Sequence, residues 1–152
     1  MVGKILVVDD VATNRIVLKV KLAEAGYFPL LAQDGATALA MAAQERPDLI
    51  LLDALLPDLD GVTMLQRLRA DPVTRTIPVI VLVGTGHGDM LRSHIFRAGA
   101  DAFLTKPMDD QTLLARIRSL IRNADQMEGL AQDKGKLAML GFAEAAPILE
   151  RP

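Results

Sequence analysis

A chain of 152 residues, 51% apolar and 24% charged, has the composition of a folded globular protein and the length for one well-filled domain plus a tail. With 17 basic and 19 acidic side chains the net charge is −2, so no overall basic field draws it to nucleic acid or to an anionic membrane, and direct binding to either is not expected. Cysteine is absent, which removes disulfides, thiolate metal sites and cysteine nucleophiles, and with no leader pattern and no run of membrane-spanning length a cytoplasmic protein is expected.

Apolar runs rich in β-branched residues alternate with segments of helical period. The first strand, β1, is predicted at 4–8 (KILVV), and α1 follows over 13–25 with Ile16, Val20 and Ala23 as its apolar face. β2 is predicted at 27–32 (YFPLLA) and α2 at 35–45, facing inward with Ala38, Leu39 and Ala42. β3 falls at 48–53 (DLILLD) and α3 at 60–70, with Leu65 and Leu68 inward. β4 covers 77–83 (IPVIVLV) and α4 89–98, with Leu91 and Ile95. β5 is predicted at 101–105 (DAFLT), and α5 begins near Asp109 and carries Leu113, Leu114, Ile117 and Leu120. Asp109 and Asp110 stand at the positive end of its dipole, and Arg116, Arg118 and Arg122 fall toward the negative end.

β1, β3 and β4 are almost continuously apolar, as central strands covered on both faces should be. The alternation predicts an α/β fold, a flavodoxin-like (βα)5 doubly wound parallel sheet of strand order 2-1-3-4-5. In that order the ligand crevice lies between β1 and β3, at their carboxyl ends.

Asp9 and Asp10 follow β1, and Asp53 ends β3, so the fold converges three carboxylates at that crevice. Each alone also fits a helix cap or a turn residue. Together, with no histidine or cysteine near them in sequence, they form a hard oxygen site suited to Mg²⁺. β5 delivers Lys106 to the same edge, followed by Pro107; its ammonium suits the carboxylates and suits an incoming phosphoryl group equally.

The stretches ILVVDD, DLILLDALLPDLDG and AGADAFLTKP resemble the receiver domain of two-component response regulators (CheY-like) over residues 3–122. The wording of DGATALAMAAQERPDLILLD, RLRADPVTRTIPVIVL and LTKPMDDQTLLARIRSL is most similar to the first receiver of PleD-type diguanylate cyclases. The resemblance implies a receiver over 1–122 and a helical extension, linker or tail over 123–152. It implies that Asp53 is the phosphoacceptor, taking a phosphoryl group from a histidine kinase or phosphotransferase. Asp10, with Asp9 partly through water, would hold Mg²⁺ against Asp53, and the backbone carbonyl of Leu55 would complete the protein ligands. Lys106 would pair with a phosphoryl oxygen, and Pro107 would follow a cis peptide bond. Pro57, Asp60 and Gly61 shape the loop after the acceptor, and Asp60 also reads as the cap of α3.

One position departs from the pattern. Receivers carry Thr or Ser at the end of β4, whereas the family's usual interval back from Lys106 lands on Gly84, with Thr85 one place later. Either Thr85 then supplies the phosphoryl-binding hydroxyl through a one-residue slip, or a main-chain N–H takes over, or the coupling to the far face is weakened, and the switch aromatic, Phe103, is affected with it. The expectation is retained phosphate acceptance with altered propagation to the α4-β5-α5 face, through which a homodimer or an adjoining output domain would respond.

Other signals carry less. GTGHGD, 84–89, has G-x-G-x-G spacing after the fourth strand and does not match a dinucleotide fingerprint. His87 and His94 lack the spacing of a metal pair and read as exposed positions. No cyclase signature and no helix-turn-helix are present, so cyclic di-GMP synthesis would need a module outside these residues. From Arg122 onward the glycines at 129, 135 and 141 and a charged middle fit a continuation of α5 for a turn or more and then a linker or docking segment, or a frayed tail. Two alternatives remain: a pseudo-receiver acting as a phosphate-independent interaction module, and a Mg²⁺-dependent phosphohydrolase. The D-x-D pattern of the latter after the first strand is missing.

Overall fold

The computed structural model of the chain describes residues 3–84 and 89–139. Five parallel strands, β1 (Lys4–Val8), β2 (Phe28–Ala32), β3 (Leu49–Asp53), β4 (Val79–Val83) and β5 (Ala102–Thr105), form one sheet of order β2-β1-β3-β4-β5. This is the flavodoxin-like fold. α1 (Ala12–Glu24), α2 (Gly35–Glu45), α3 (Gly61–Ala70), α4 (Asp89–Arg97) and α5 (Asp110–Met139) alternate with the strands.

Side chains alternate across a strand, so each central strand feeds two cores. Leu6, Val8, Ile50, Leu52, Val79 and Val81 point to one side, where Ala38 and Ala42 of α2, Met64, Leu65 and Leu68 of α3 and Ile95 of α4 cover them. Ile5, Val7, Leu49, Leu51, Ile80 and Leu82 point to the other, under Leu18 and Leu22 of α1 and Leu113 and Ile117 of α5. β2 lies at an edge and carries Pro29, which an interior strand would not accommodate as easily.

The apolar face expected on α1 is corrected. Ile16 is 59% exposed, Val20 is 50% exposed and Ala23 is exposed, while Leu18 and Leu22 are buried. The helix has apolar residues on two stripes, and a step of two residues turns about 200° around its axis, so inserting Leu18 and Leu22 turns Ile16 and Val20 to solvent. The inward faces expected of the other four helices are borne out, with Leu39, Leu91, Leu114 and Leu120 only partly buried.

Local caps fix where helices start. Asp34 Oδ1 accepts from Thr37 N at 2.7 Å at the head of α2, and Asp60 Oδ1 does the same for Thr63 N at 2.7 Å at the head of α3. At the opposite edge of the sheet Arg69 joins three segments. Its guanidinium donates to the Gly99 carbonyl from Nε (3.0 Å) and Nη2 (2.7 Å), to Asp101 Oδ2 (2.9 Å), and to the Ile77 (2.6 Å) and Arg75 (3.0 Å) carbonyls.

α5 runs for 30 residues to Met139, past Arg122, where a continuation of a turn or more is expected. At 1.5 Å per residue it is about 45 Å long, more than twice the length of a five-residue strand.

Candidate functional site

The parallel sheet brings the ends of β1, β3 and β5 to one edge. Asp9 follows β1 directly and its N–H donates to the Ala32 carbonyl at 3.1 Å, so the main chain is still held as a strand where the carboxylate begins. Asp9 is only 2% exposed. A carboxylate that deep needs partners, and Asp9 has three: Oδ1 accepts from Val11 N at 2.9 Å, and Oδ2 accepts from Asn14 Nδ2 at 3.2 Å and faces Lys106 Nζ at 3.5 Å. Arg15 Nη1 donates to the Asp9 carbonyl at 2.7 Å, tying the first turn of α1 to the same residue. Asp10 is exposed.

Asp53 ends β3, in register with Leu82 of β4, and its side chain is 13% exposed. Its Oδ1 accepts from Leu55 N at 3.0 Å, and its Oδ2 lies 3.5 Å from Lys106 Nζ. Lys106 is held in place by its own N–H, which donates to the Val83 carbonyl at 2.7 Å, and the Lys106–Pro107 peptide is cis. At 3.5 Å from both carboxylates the ammonium sits between them as a shared counter-charge, without a short hydrogen bond to either.

One carboxylate oxygen from each of Asp9, Asp10 and Asp53 lies within 4.8 Å of the others. Three carboxylates against one ammonium leave the cleft short of positive charge, and the donor set is oxygen alone, which fits a hard divalent cation of the Mg²⁺ type. The strain is visible in Asp53: burial pushes its carboxyl above the ordinary 3.8, and the Asp9 charge adds to that, against the opposing pull of the Leu55 N–H and Lys106. The five residues proposed from sequence at this edge, Asp9, Asp10, Asp53, Leu55 and Lys106, are brought together.

Gly84 follows β4 at the same edge, and among the described residues, its chain neighbours apart, nothing lies within 4 Å of where its Cβ would stand. The position has open space where a hydroxyl-bearing side chain would sit. Thr85 and His87 lie outside the described residues; His94 is exposed on α4, as expected. Phe103 of β5 is partly buried, its ring centroid 6.3 Å from that of Phe96, and the Arg92 guanidinium stands 5.5 Å from the Phe103 ring and 5.8 Å from the Phe96 ring.

Sequence reasoning missed Asn14, Arg15 and Asp58. Asn14 stands five residues after Asp9, where the first turn of a helix folds back on the strand end, a spacing that was available to be read. Asp58 accepts from Gly35 N at 2.8 Å and Ala36 N at 3.0 Å, and no local pattern foretells a contact across 23 residues.

The chain matches the response regulator receiver domain family across residues 5–118. It is 43% identical over 147 residues to the response regulator PleD of Caulobacter vibrioides, covering 96% of this chain and 32% of PleD. It is 42% identical over 130 residues to the DNA-binding master transcriptional regulator RpaA of a Synechocystis strain, covering 85% of this chain and 53% of RpaA. The chain therefore spans about a third to a half of the length of these relatives. Among solved structures it is similar to the receiver domain of a sensor histidine kinase from Pseudomonas aeruginosa PAO1, determined with a magnesium ion coordinated in the active site cleft. That likeness has a TM-score of 0.72 and 33% identity, and covers 80% of this chain and 98% of the other. Receiver domains are signalling domains that bind Mg²⁺ in an acidic site and interact with histidine kinases or phosphotransferases. With the fold, the acidic cleft and these likenesses together, the chain belongs to the response regulator receiver family and is a receiver domain of two-component signalling, homologous to the receiver of PleD.

Proposed function

We propose that Asp53 accepts a phosphoryl group from a histidine kinase or phosphotransferase, with Mg²⁺ in the cleft, and that the modified domain switches an output. The observation that carries this is the convergence of Asp9, Asp10, Asp53 and Lys106 on one sheet edge. Asp53 Oδ2 attacks phosphorus, the bond from phosphorus to the donor imidazole nitrogen breaks, and the electron pair leaves with the imidazole, giving an acyl phosphate. The Leu55 N–H engages Oδ1, leaving Oδ2 as the attacking atom, and Lys106 is placed to neutralise a phosphoryl oxygen. Asp10, Asp53, the Leu55 carbonyl and Asp9, the last through water because its oxygens are already engaged, would hold the ion. Mg²⁺ supplies charge neutralisation for the transferring group.

The exposed apolar stripe Val11, Ile16, Val17 and Val20 begins two residues after Asp9 and would offer the phosphodonor partner a surface beside the cleft. Residues 1–122 form the receiver and 123–152 a helical extension, linker or tail, and we place the protein in the cytoplasm. The output is a homodimer through the α4-β5-α5 face or an adjoining domain. No catalytic turnover of a separate substrate is proposed, and cyclic di-GMP synthesis would come from another module.

Incubation with acetyl phosphate tests the reading: the chain is expected to gain one phosphoryl group only with Mg²⁺ present, and Asp53→Asn to gain none. Labelling that survives Asp53→Asn, or that ignores Mg²⁺, overturns it. A phosphate-independent pseudo-receiver is the second reading, favoured by the missing hydroxyl at Gly84. Failure of beryllofluoride with Mg²⁺ to alter the spectrum or the oligomeric state would select it.

A further inference from the structure

The segment between β3 and α3 carries Leu55, whose N–H fixes Asp53 Oδ1 and whose carbonyl is the expected backbone ligand of the ion. A surface loop is a poor platform for either role unless its backbone is restrained. Its two ends restrain each other: Gly61 N donates to the Ala54 carbonyl at 3.0 Å, and Leu55 and Asp60 form an isolated antiparallel bridge. The tip, Leu56 to Leu59, is held from outside the loop.

Asp58 supplies that hold. Its Oδ1 accepts from Gly35 N at 2.8 Å and its Oδ2 from Ala36 N at 3.0 Å, two of the N–H groups that the first turn of α2 cannot satisfy within the helix. These two bonds keep the Asp58 carboxyl below the ordinary range, as a carboxylate on a helix N-terminus should be. Leu59 closes the contact, since a Cβ on Gly35 would stand 2.8 Å from Leu59 Cδ1, so loop and helix touch without room for a side chain between them. α2 already has its local cap in Asp34, which serves Thr37 N. Its N-terminus thus holds two carboxylates, and the one that arrives from 23 residues away fastens the loop.

We infer that Asp58 is a positioning residue for the cation site: by clamping the β3-α3 loop to α2 it fixes the Leu55 peptide, without itself touching ion or phosphoryl group. The inference rests on the functional reading above, and the two are separable by experiment. Mg²⁺ binding to the 152-residue chain is measured by calorimetry for wild type, Asp58→Ala, Asp58→Asn and Asp34→Ala, with melting temperature and amide exchange at Leu55 read alongside.

Asp58→Ala is expected to weaken Mg²⁺ binding about tenfold, the low end of what removing a support behind a metal ligand costs, and to speed exchange at Leu55. Acetyl phosphate labelling at saturating Mg²⁺ should still reach the wild-type extent. Asp34→Ala, which loses a cap of the same helix and no loop contact, should lower the melting temperature and leave Mg²⁺ binding and Leu55 exchange unchanged. Asp58→Asn, keeping one acceptor oxygen, should fall between wild type and alanine. An unchanged midpoint in Asp58→Ala overturns the inference. So does an equal loss in Asp34→Ala, which would assign the effect to helix stability, or an equal loss in Asp58→Asn, which would assign it to charge. A wild-type chain that takes up no Mg²⁺ defeats the functional reading first and leaves the clamp no site to position.

Discussion

Replacing Arg69 with alanine removes a guanidinium that holds the end of α3, the turn into β4 and the turn into β5 together. Four acceptors lose their donor. The Arg75 carbonyl and Asp101 lie at the surface, where water replaces the donor, and an exposed ion pair such as Arg69–Asp101 contributes about 1 kcal/mol at most. The Gly99 and Ile77 carbonyls are part-buried, and each unsatisfied group costs about 1 to 1.5 kcal/mol. The expected loss is about 3 kcal/mol, read by urea denaturation at an unchanged m-value, or about 10 °C in melting temperature for a domain of this size. Arg69→Lys should recover less than half of it, because one ammonium cannot reach the Gly99 and Ile77 carbonyls from the geometry of a planar fork. A loss below about 1 kcal/mol, or full recovery by lysine, would refute the assignment of three-way stapling to the guanidinium.

The corrected face of α1 predicts that Leu22→Ala costs about 2 to 5 kcal/mol, whereas Ile16→Ala stays within about 0.5 kcal/mol and instead weakens association with the phosphodonor; equal stability losses in denaturation would contradict this. Asp53 titrates above its unfolded value, so ionising it opposes folding: the penalty is absent below about pH 3.8, grows as pH rises through the raised value and is complete above it. In EDTA, Asp53→Asn should therefore be more stable than wild type near pH 7 and no more stable near pH 3, and a wild type that matches it at both would be contrary. Asp60, and Asp109, whose Oδ1 accepts from Thr112 N at 2.9 Å at the head of α5, titrate below the ordinary 3.8 and act with the opposite sign, contributing stability above that value that is lost as pH falls, so acid titration of Asp60→Ala should remove part of that loss. Gly84→Thr meets open space and should stabilise the fold by about 0.4 to 1 kcal/mol through the unfolded state, while enlarging the response of Phe103 to beryllofluoride seen by NMR; a destabilised variant would show that the space is not free.

The sheet was legible because its central strands are apolar on both faces, a pattern that few arrangements other than a covered parallel sheet explain. From strand order alone Asp9, Asp10, Asp53 and Lys106 fall at one edge, so the acidic cleft was legible with it. The face of α1 was not, because Ile16 and Val20 compete with Leu18 and Leu22 for the same helical period, and only the shape of the neighbouring core decides between them. How far α5 runs past Arg122 is left open by the sequence, because the glycines at 129 and 135 lower helix propensity without ending the helix. Asp58 reads locally as a turn residue, and its bonds to Gly35 and Ala36 exist only once the β3-α3 loop has folded onto α2.

The central claim is a covalent one, so the most direct measurement locates the bond. The chain is treated with acetyl phosphate and Mg²⁺, reduced with borohydride so that an acyl phosphate becomes a homoserine, and its peptides are sequenced by mass spectrometry. The account predicts homoserine at position 53, in the sample that received both donor and Mg²⁺ and in no other. Homoserine at position 9 or 10, or none anywhere, would contradict it.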